Sequence, residues 1–404
     1  MAKRKDRDQT ALFVEPLSSK AAKRRRRPLF LHRLLEAEAD KKAIDGKSLD
    51  NARNIVTHWA DLEESGHLQK KETSLNADFL FAIFGDALGY TVHNKSPDRY
   101  HLEREFHVSN VGQADGALGN FGTGKTPQPL AVIELKDAGT NLDVDRFNGR
   151  TPVQQCWDYL NASPDCPWGI VSNFAEIRLY HRDHTPARFE VFTLQDLRDI
   201  HRFRQFYYLL ERKGLIEPTL GNPPRAQLLL EQTDNRQREV GDALYNDYST
   251  HRLRLIRHLH EDHGYTVDQA IAAAQKLLDR IVFVAFCEDR QLLPSKVLRK
   301  AHEEVPPFSK VTNPRWQNYR NLFRAIDKGH PSLELTTGYN GGLFREDPLV
   351  DDLELNDDWT NFFRGIGDYD FRDEVNVDVL GHLVAVHGFQ CNRAGLTDKA
   401  GDDG

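Results

Sequence analysis

The sequence predicts a mixed α/β sheet flanked by helices, followed by an all-α region. Three observations support this prediction. A compact apolar run at residues 129–136, "PLAVIELK", is typical of a buried central strand. Alternating segments precede this run, and two strand-like segments at residues 168–182 follow it after a short helical pattern. After about residue 195, apolar residues recur at helical spacing through three long segments.

Size and composition are typical of a globular protein with two domains. The chain has 404 residues, of which 39% are hydrophobic and 28% are charged. No stretch approaches the roughly 18 consecutive apolar residues of a membrane-spanning helix, so we expect no membrane partner. The four cysteines, Cys156, Cys166, Cys287 and Cys391, form no CxxC pair, which indicates a reduced cytoplasmic protein and argues against a structural zinc site.

The chain is expected to begin with a basic disordered tail, residues 1–28, before a globular domain at residues 29–195. The first 30 residues contain ten Lys or Arg and three Asp or Glu. Such an arm contacts phosphates or serves as a nuclear address, and the alternative is a solvated tail. Within the globular domain, Ser74 is predicted to cap a helix that ends at Gly89.

Local signals also place the later elements. Thr151 is a predicted helix cap and Pro152 the first helical residue. Residues 172–175 are predicted to join two strands. We expect a helical connector domain at residues 196–383, and a disordered or aberrant tail at residues 384–404, which are polar and lack periodicity.

A nucleotide-binding P-loop is one interpretation of the glycine-rich stretch before the apolar run. Gly119, Gly124, Lys125 and Thr126 have the required spacing. A working P-loop needs a helix directly after the motif, because the helix N-terminus holds the phosphates. Here Pro129 and a strand follow at once, so we interpret the stretch as a hairpin connection.

Carboxylates around the apolar run suggest a metal-dependent hydrolase instead. Glu134 and Lys136 are two residues apart on a strand and therefore project from the same face. Asp115 lies on the preceding hairpin strand, and pairing of the two strands is expected to bring it beside Glu134. Together with the carbonyl of Leu135, these carboxylates offer the oxygen ligands that Mg²⁺ prefers. Lys136 is then placed to orient or deprotonate an attacking water.

Two further groups of residues are candidates for DNA contacts. Gln155 and Tyr159 are four residues apart on the predicted short helix and share one face. A later helical segment contains Arg254 and several histidines, His251, His258, His260 and His263. We interpret that segment as a polar helical face, part of which touches DNA phosphates, and the alternative is a metal cluster.

The order of Asp115, Glu134, Lys136, Gln155 and Tyr159 resembles the site of PD-(D/E)xK nucleases. More specifically, several ordered segments resemble the N-terminal part of type IIG-like fused restriction–modification enzymes over roughly residues 65–383. These segments are "KETSLNADFLFAIFGDALGY", "AVIELKDAGTNLD", "PWGIVSNFAEIRLY", "LLDRIVFVAFCEDRQLLP", "YNGGLF" and "VNVDVLGHL". The resemblance implies a restriction-endonuclease-like nuclease domain followed by a helical connector, a DNA adenine methyltransferase and a target-recognition domain.

The same resemblance implies roles for individual residues. Asp115 and Glu134 would bind Mg²⁺, as one ion or two, and Lys136 would act on the water. Gln155 would position the site or the DNA backbone, and Glu72 would complete the metal site. The residues expected to contact DNA are Gln155, Tyr159, Lys125 and Arg254. The implied function is Mg²⁺-dependent cleavage of double-stranded DNA in the cytoplasm of a prokaryote, as a defence against phage.

The sequence also departs from this family. Its adenine-pocket motif, Asn-Pro-Pro followed by an aromatic residue, has no counterpart, since Asn222, Pro223 and Pro224 precede Arg225 in a predicted linker. No glycine-rich loop for S-adenosylmethionine follows a strand, so no such cofactor site is expected. We expect a chain truncated or frame-shifted near Leu383. The alternative function is a cleavage-incompetent fragment that binds DNA or a separate methyltransferase or specificity subunit.

Overall fold

A six-stranded sheet lies in the first of two compact units, residues 1–233 and 234–404. The computed structural model of the protein describes residues 27–41, 46–69, 72–124, 126–218, 221–306, 310–335, 338–339 and 342–375. This division after residue 233 follows the compactness of the two units. The boundary between nuclease and connector after residue 195 remains a prediction. Of the predicted tails, residues 1–26 and 384–404 lie outside the described residues, whereas the backbone N–H of Arg27 donates to the carbonyl of Ala187 (3.0 Å).

The six strands have the same order in space as in the chain. They are β1 (Tyr100–Val108), β2 (Gly112–Phe121), β3 (Gln128–Leu135), β4 (Trp168–Ser172), β5 (Glu176–His181) and β6 (Glu190–Thr193). All neighbouring pairs are antiparallel except β3 and β4, which are parallel. The predicted mixed sheet is confirmed. Because β3 and β4 are parallel, their carboxyl ends at Leu135 and Ser172 meet at one edge.

Helices accompany this sheet in the first unit. They are α1 (His32–Lys41), α2 (Gly46–Glu64), α3 (Glu72–Phe79), α4 (Pro152–Ala162), α5 (Ile200–Leu210), α6 (Arg212–Leu215) and α7 (Arg225–Glu261), the last of which includes the division between the units. Ser74 lies inside α3, so its predicted role as a cap was wrong: the helix already includes Glu72. A π-helical segment, Leu80–Ala87, continues α3, and its apolar side is buried. Gly89 ends it with φ +78°, as predicted.

The hairpin interpretation of the glycine-rich stretch is confirmed. Residue Gly119 pairs with Pro129 across β2 and β3, and β3 starts directly after the connection. A Cβ on Gly119 would lie 2.1 Å from the carbonyl oxygen of Gln128, so only glycine fits this close approach. The glycines therefore serve the backbone of the hairpin.

Helix α4 is fixed at its start and packed tightly against the sheet. Thr151 caps it, and the side chain of Gln154 accepts in return from the backbone N–H of Thr151, which completes a capping box. Farther along, Cys156 lies so close to β4 that a Cβ on Gly169 would be 2.7 Å from its Sγ atom. This packing holds one face of α4 against the sheet beside β3.

The regular elements among the described residues of the second unit are helices, as predicted. Its α-helices after α7 are α8 (Val267–Asp289), α9 (Val297–Glu303), α10 (Pro314–Lys328), α11 (Pro348–Asp351) and α12 (Trp359–Ile366), and a 3₁₀ helix covers Pro331–Leu333. The core of this unit includes the buried aromatic rings of Trp316, Tyr319, Phe323 and Phe363. In the described part of the chain, no helix has both the length and the apolar character needed to cross a membrane.

Candidate active site

Asp115 and Glu134 occupy facing positions on β2 and β3. Gly116 pairs with Ile133 and Ala117 with Val132, so continuing this register by one residue places Asp115 opposite Glu134. Side chains at such facing positions have Cβ atoms about 5 Å apart. The contact of Asp115 Oδ2 with the backbone N–H of Leu135, at 2.7 Å, shows how closely the two strand ends approach. The structure therefore brings the two predicted carboxylates together.

The ammonium of Lys136 lies within this site. It donates to Glu134 Oε1 at 2.6 Å and to the carbonyl of Leu135 at 2.8 Å. Both side chains of the ion pair are buried, with 8% of Lys136 and 1% of Glu134 exposed. The ammonium also lies 5.3 Å from the centre of the Phe147 ring. The backbone N–H of Lys136 donates to Ser172 at the end of β4, which anchors this residue to the sheet.

The residues of this site fit a hard divalent cation. A carboxylate oxygen of Glu134 and the carbonyl oxygen of Leu135 already converge on one positive charge, that of Lys136. The carboxylate of Asp115 lies beside them, and all three groups offer the oxygen donors that suit Mg²⁺. Among the described residues, no three His, Cys, Asp or Glu side chains form a group that could hold a metal. The candidate site thus offers two carboxylates and one carbonyl.

Asn76 is a site residue that the sequence did not single out. Asn76 lies on helix α3, and its side-chain amide donates to Asp115 Oδ1 at a distance of 3.2 Å. With the Leu135 N–H on the other oxygen, both oxygens of Asp115 accept a hydrogen bond. Asn76 lies one helical turn after Glu72, so both residues share a helix face. This spacing is the sequence signal that could have added Asn76 to the candidate site.

Burial changes the protonation of Asp115. Removal from water raises the pKa of this carboxyl, while the N–H of Leu135 and the positive charge of Lys136 oppose the increase. The first effect is the largest, so the folded protein holds the Asp115 proton more tightly than an exposed carboxyl would. A cation that binds Asp115 must therefore compete with a proton over a higher pH range than usual.

Asp115→Asn is expected to increase the free energy of unfolding relative to wild type near neutral pH. Because the folded pKa is raised, the stability contributed by this carboxyl is complete below its unfolded pKa and is lost as pH rises through its folded pKa. Asparagine does not ionise and so avoids this loss. Urea denaturation of both proteins from about pH 4 to about pH 8 measures the difference, which should grow with pH. A difference that shrinks with pH would contradict this assignment.

Gln155 and Tyr159 share a face of α4 as predicted, and they contact each other. Gln155 Nε2 donates to the Tyr159 hydroxyl at 3.0 Å, and that hydroxyl donates to the carbonyl of Gln113 on β2 at 2.9 Å. Burial, followed by the negative charge of Glu134, raises the pKa of Tyr159 well above its ordinary value. The neutral phenol therefore lies within electrostatic reach of Glu134 and links α4 to the strand that carries Asp115.

Three other predicted residues have different outcomes. Glu72 belongs to α3, but its side chain lies outside the described residues, and so does all of Lys125. Arg254 lies on α7 in the second unit, where its guanidinium is 5.5 Å from the centre of the Trp359 ring. The roles expected for these three residues stay predictions.

Comparisons with known proteins find similarity among solved structures only. No protein-family model matches the chain, and no curated protein matches it. Among solved structures, the chain is similar to a protein chain of a DrdV–DNA complex determined by cryo-electron microscopy, with 14% sequence identity and a TM-score of 0.27. The alignment covers 83% of this chain and 28% of that chain, so this chain spans little more than a quarter of the length of that protein.

Proposed function

We propose that this chain is a Mg²⁺-dependent DNA endonuclease belonging to a restriction–modification system. The observation that carries the proposal is the position of Asp115 opposite Glu134, with the Lys136 ammonium in contact with Glu134 and with the Leu135 carbonyl. Two acidic groups and an ammonium are costly to place at these neighbouring ends of β2 and β3, away from the hairpin connection, because each charge loses hydration. Such an arrangement is typical of a site that handles charge during a reaction.

The cation and the protein side chains have separate roles in the proposed reaction. A bound Mg²⁺ would polarise a phosphoryl oxygen and make the attacking water more acidic. Asp115, Glu134 and the Leu135 carbonyl would hold that ion, since they are the oxygen donors of the site. Asn76 and the Leu135 N–H keep the Asp115 carboxylate in position through hydrogen bonds to its two oxygens.

Lys136 has two roles in this proposal. Without a cation, its ammonium balances the charge of Glu134 and contacts the Leu135 carbonyl. When these oxygens bind a cation, the ammonium has to move away from them. As an ammonium, Lys136 would orient the attacking water and offset the negative charge that develops on the phosphate; only after losing a proton to solvent, as a neutral amine, would Nζ accept the proton of that water.

Four residues are proposed to contribute to DNA binding: Gln155, Tyr159, Lys125 and Arg254. Tyr159, held by Gln155 and Gln113, supports β2. The second donor hydrogen of Gln155 is suited to a phosphate oxygen of the DNA backbone. Lys125 and Arg254 are proposed to contribute positive charge to phosphate binding.

The second candidate function is a cleavage-incompetent module that binds DNA or a separate methyltransferase or specificity subunit. The close ion pair between Lys136 and Glu134 favours this candidate, because the ammonium occupies the position that a metal would need. The two candidates differ in whether a divalent cation displaces Lys136.

Nicking of supercoiled plasmid DNA by the purified chain tests the proposed function. Nicking should require Mg²⁺, stop on addition of EDTA and fall to background in Lys136→Met, which keeps an unbranched side chain of nearly the same length and removes the charge. DNA binding without nicking in Mg²⁺ would favour the second candidate. Equal nicking by wild type and Lys136→Met would show that the activity does not come from this site.

A further inference from the structure

Two histidines near the end of α7 face each other through their Nε2 atoms. His258 lies on the last turn of the helix, and His263 follows in the turn after it. Their Nε2 atoms are 3.2 Å apart, and the rings are nearly perpendicular, at 83°. The side chain of His258 is 24% exposed, so the pair is open to solvent on one side.

The contacts of His258 determine which of its nitrogens carries the proton. Its Nδ1 lies 2.6 Å from Oδ2 of Asp262. A carboxylate only accepts hydrogen bonds, so Nδ1 carries the hydrogen, and Nε2 of the neutral ring presents a lone pair to His263. Two ring nitrogens only 3.2 Å apart share either a hydrogen or a cation between them.

We propose that His258 and His263 bind a transition-metal dication, such as Ni²⁺ or Zn²⁺, through these two Nε2 atoms. Two nitrogens at the usual distance of about 2.0–2.1 Å from one tetrahedral ion lie about 3.3 Å apart, close to the separation here. The hydrogen bond from a ligating histidine to a carboxylate is the usual support of such a site, and Asp262 provides it.

The proposed site is open and differs in chemistry from the candidate active site. Within the described part of the chain no three His, Cys, Asp or Glu side chains form a metal-holding group, so the protein supplies two ligands here and water supplies the rest. Imidazole nitrogen suits Zn²⁺, Ni²⁺ and Cu²⁺, whereas Mg²⁺ prefers oxygen. The site therefore selects a metal class that excess Mg²⁺ does not displace, and it does not depend on nuclease activity.

Trp359 provides a local reporter for the experiment, because its ring centre lies 5.4 Å from that of His258. Ni²⁺, a quencher of tryptophan fluorescence, is titrated into the full chain in excess Mg²⁺. Saturable quenching is expected in wild type and should be absent in Trp359→Phe. His258→Gln and His263→Gln should each weaken Ni²⁺ binding at least about tenfold, and Asp262→Asn about 10–100-fold.

His260→Gln is the matched control, because this exposed histidine lies on the same turn and its Nδ1 contacts the Tyr265 carbonyl. It should bind Ni²⁺ as wild type does. Far-ultraviolet circular dichroism checks that every variant is folded, and Asp262→Asn tests the site with both histidines retained. Unchanged affinity in His258→Gln and His263→Gln, or no saturable quenching in wild type, would overturn the proposal and reduce the pair to a hydrogen bond.

Discussion

Glu134→Gln is expected to slow Mg²⁺-dependent DNA cleavage by about 10²–10³-fold or more. Glutamine has nearly the same shape, so the packing around this residue, of which 1% is exposed, should remain. The variant removes a negative ligand from the proposed metal site. It also removes the ion-pair partner of Lys136, whose ammonium now lies 2.6 Å from Glu134 Oε1. Both losses act on the chemical step.

Single-turnover nicking, with enzyme in excess over plasmid, measures this effect. Asp165→Asn is the matched control, since this exposed carboxylate precedes β4 at the end of the parallel strands opposite to the site. The control should cleave as wild type does. A Glu134→Gln protein that is folded and cleaves at the rate of the control would refute the assignment of Glu134.

Asp351→Ala is expected to destabilise the second unit by about 3–5 kcal/mol. Its partner Arg280 is fully buried, at 0% exposure, and donates to Asp351 at 2.7 Å. Arg280 also donates to the carbonyl of Leu343 at 2.9 Å, and its guanidinium lies near the rings of Phe323 and Phe344. Removal of the carboxylate leaves a guanidinium that is always charged inside this core without its counter-charge.

An exposed ion pair in the same unit provides the comparison. Arg299 and Asp368 are 2.8 Å apart, but 41% and 47% of their side chains are exposed. Asp368→Ala should therefore cost less than about 1 kcal/mol, because water already screens that pair. Urea denaturation followed by the fluorescence of buried Trp316 measures both variants. Similar losses in the two variants would show that burial of Arg280 is not the cause.

The parts of the site that could be predicted from sequence depend on local rules. The apolar run before Glu134 indicates a buried strand, and two-residue periodicity puts Lys136 on the same face. The glycine-rich stretch indicates a hairpin, and hairpin pairing brings Asp115 opposite Glu134. Thr151 and Pro152 predict the start of α4 because capping depends on neighbouring residues alone.

Contacts between distant segments could not be predicted in this way. The spacing of Asn76 from Glu72 indicates only a shared helix face, and no local pattern shows that this face approaches Asp115 on β2. Strand β6 has four residues, too few for a periodic signal. The π-helical segment at Leu80–Ala87 adds a residue to a turn, and its apolar spacing fits an ordinary α-helix equally well. The direct ion pair of Lys136 with Glu134 likewise depends on side-chain conformations.

Affinity cleavage tests most directly whether Asp115 and Glu134 hold a divalent cation. Fe²⁺ is bound in place of Mg²⁺, and ascorbate with peroxide then generates hydroxyl radicals that cut the backbone next to the bound iron. Cuts are expected near residues 115 and 134–136; excess Mg²⁺ should suppress them and Glu134→Gln should abolish them. Mg²⁺-suppressible cuts elsewhere in the chain, with none at these two strands, would contradict this expectation.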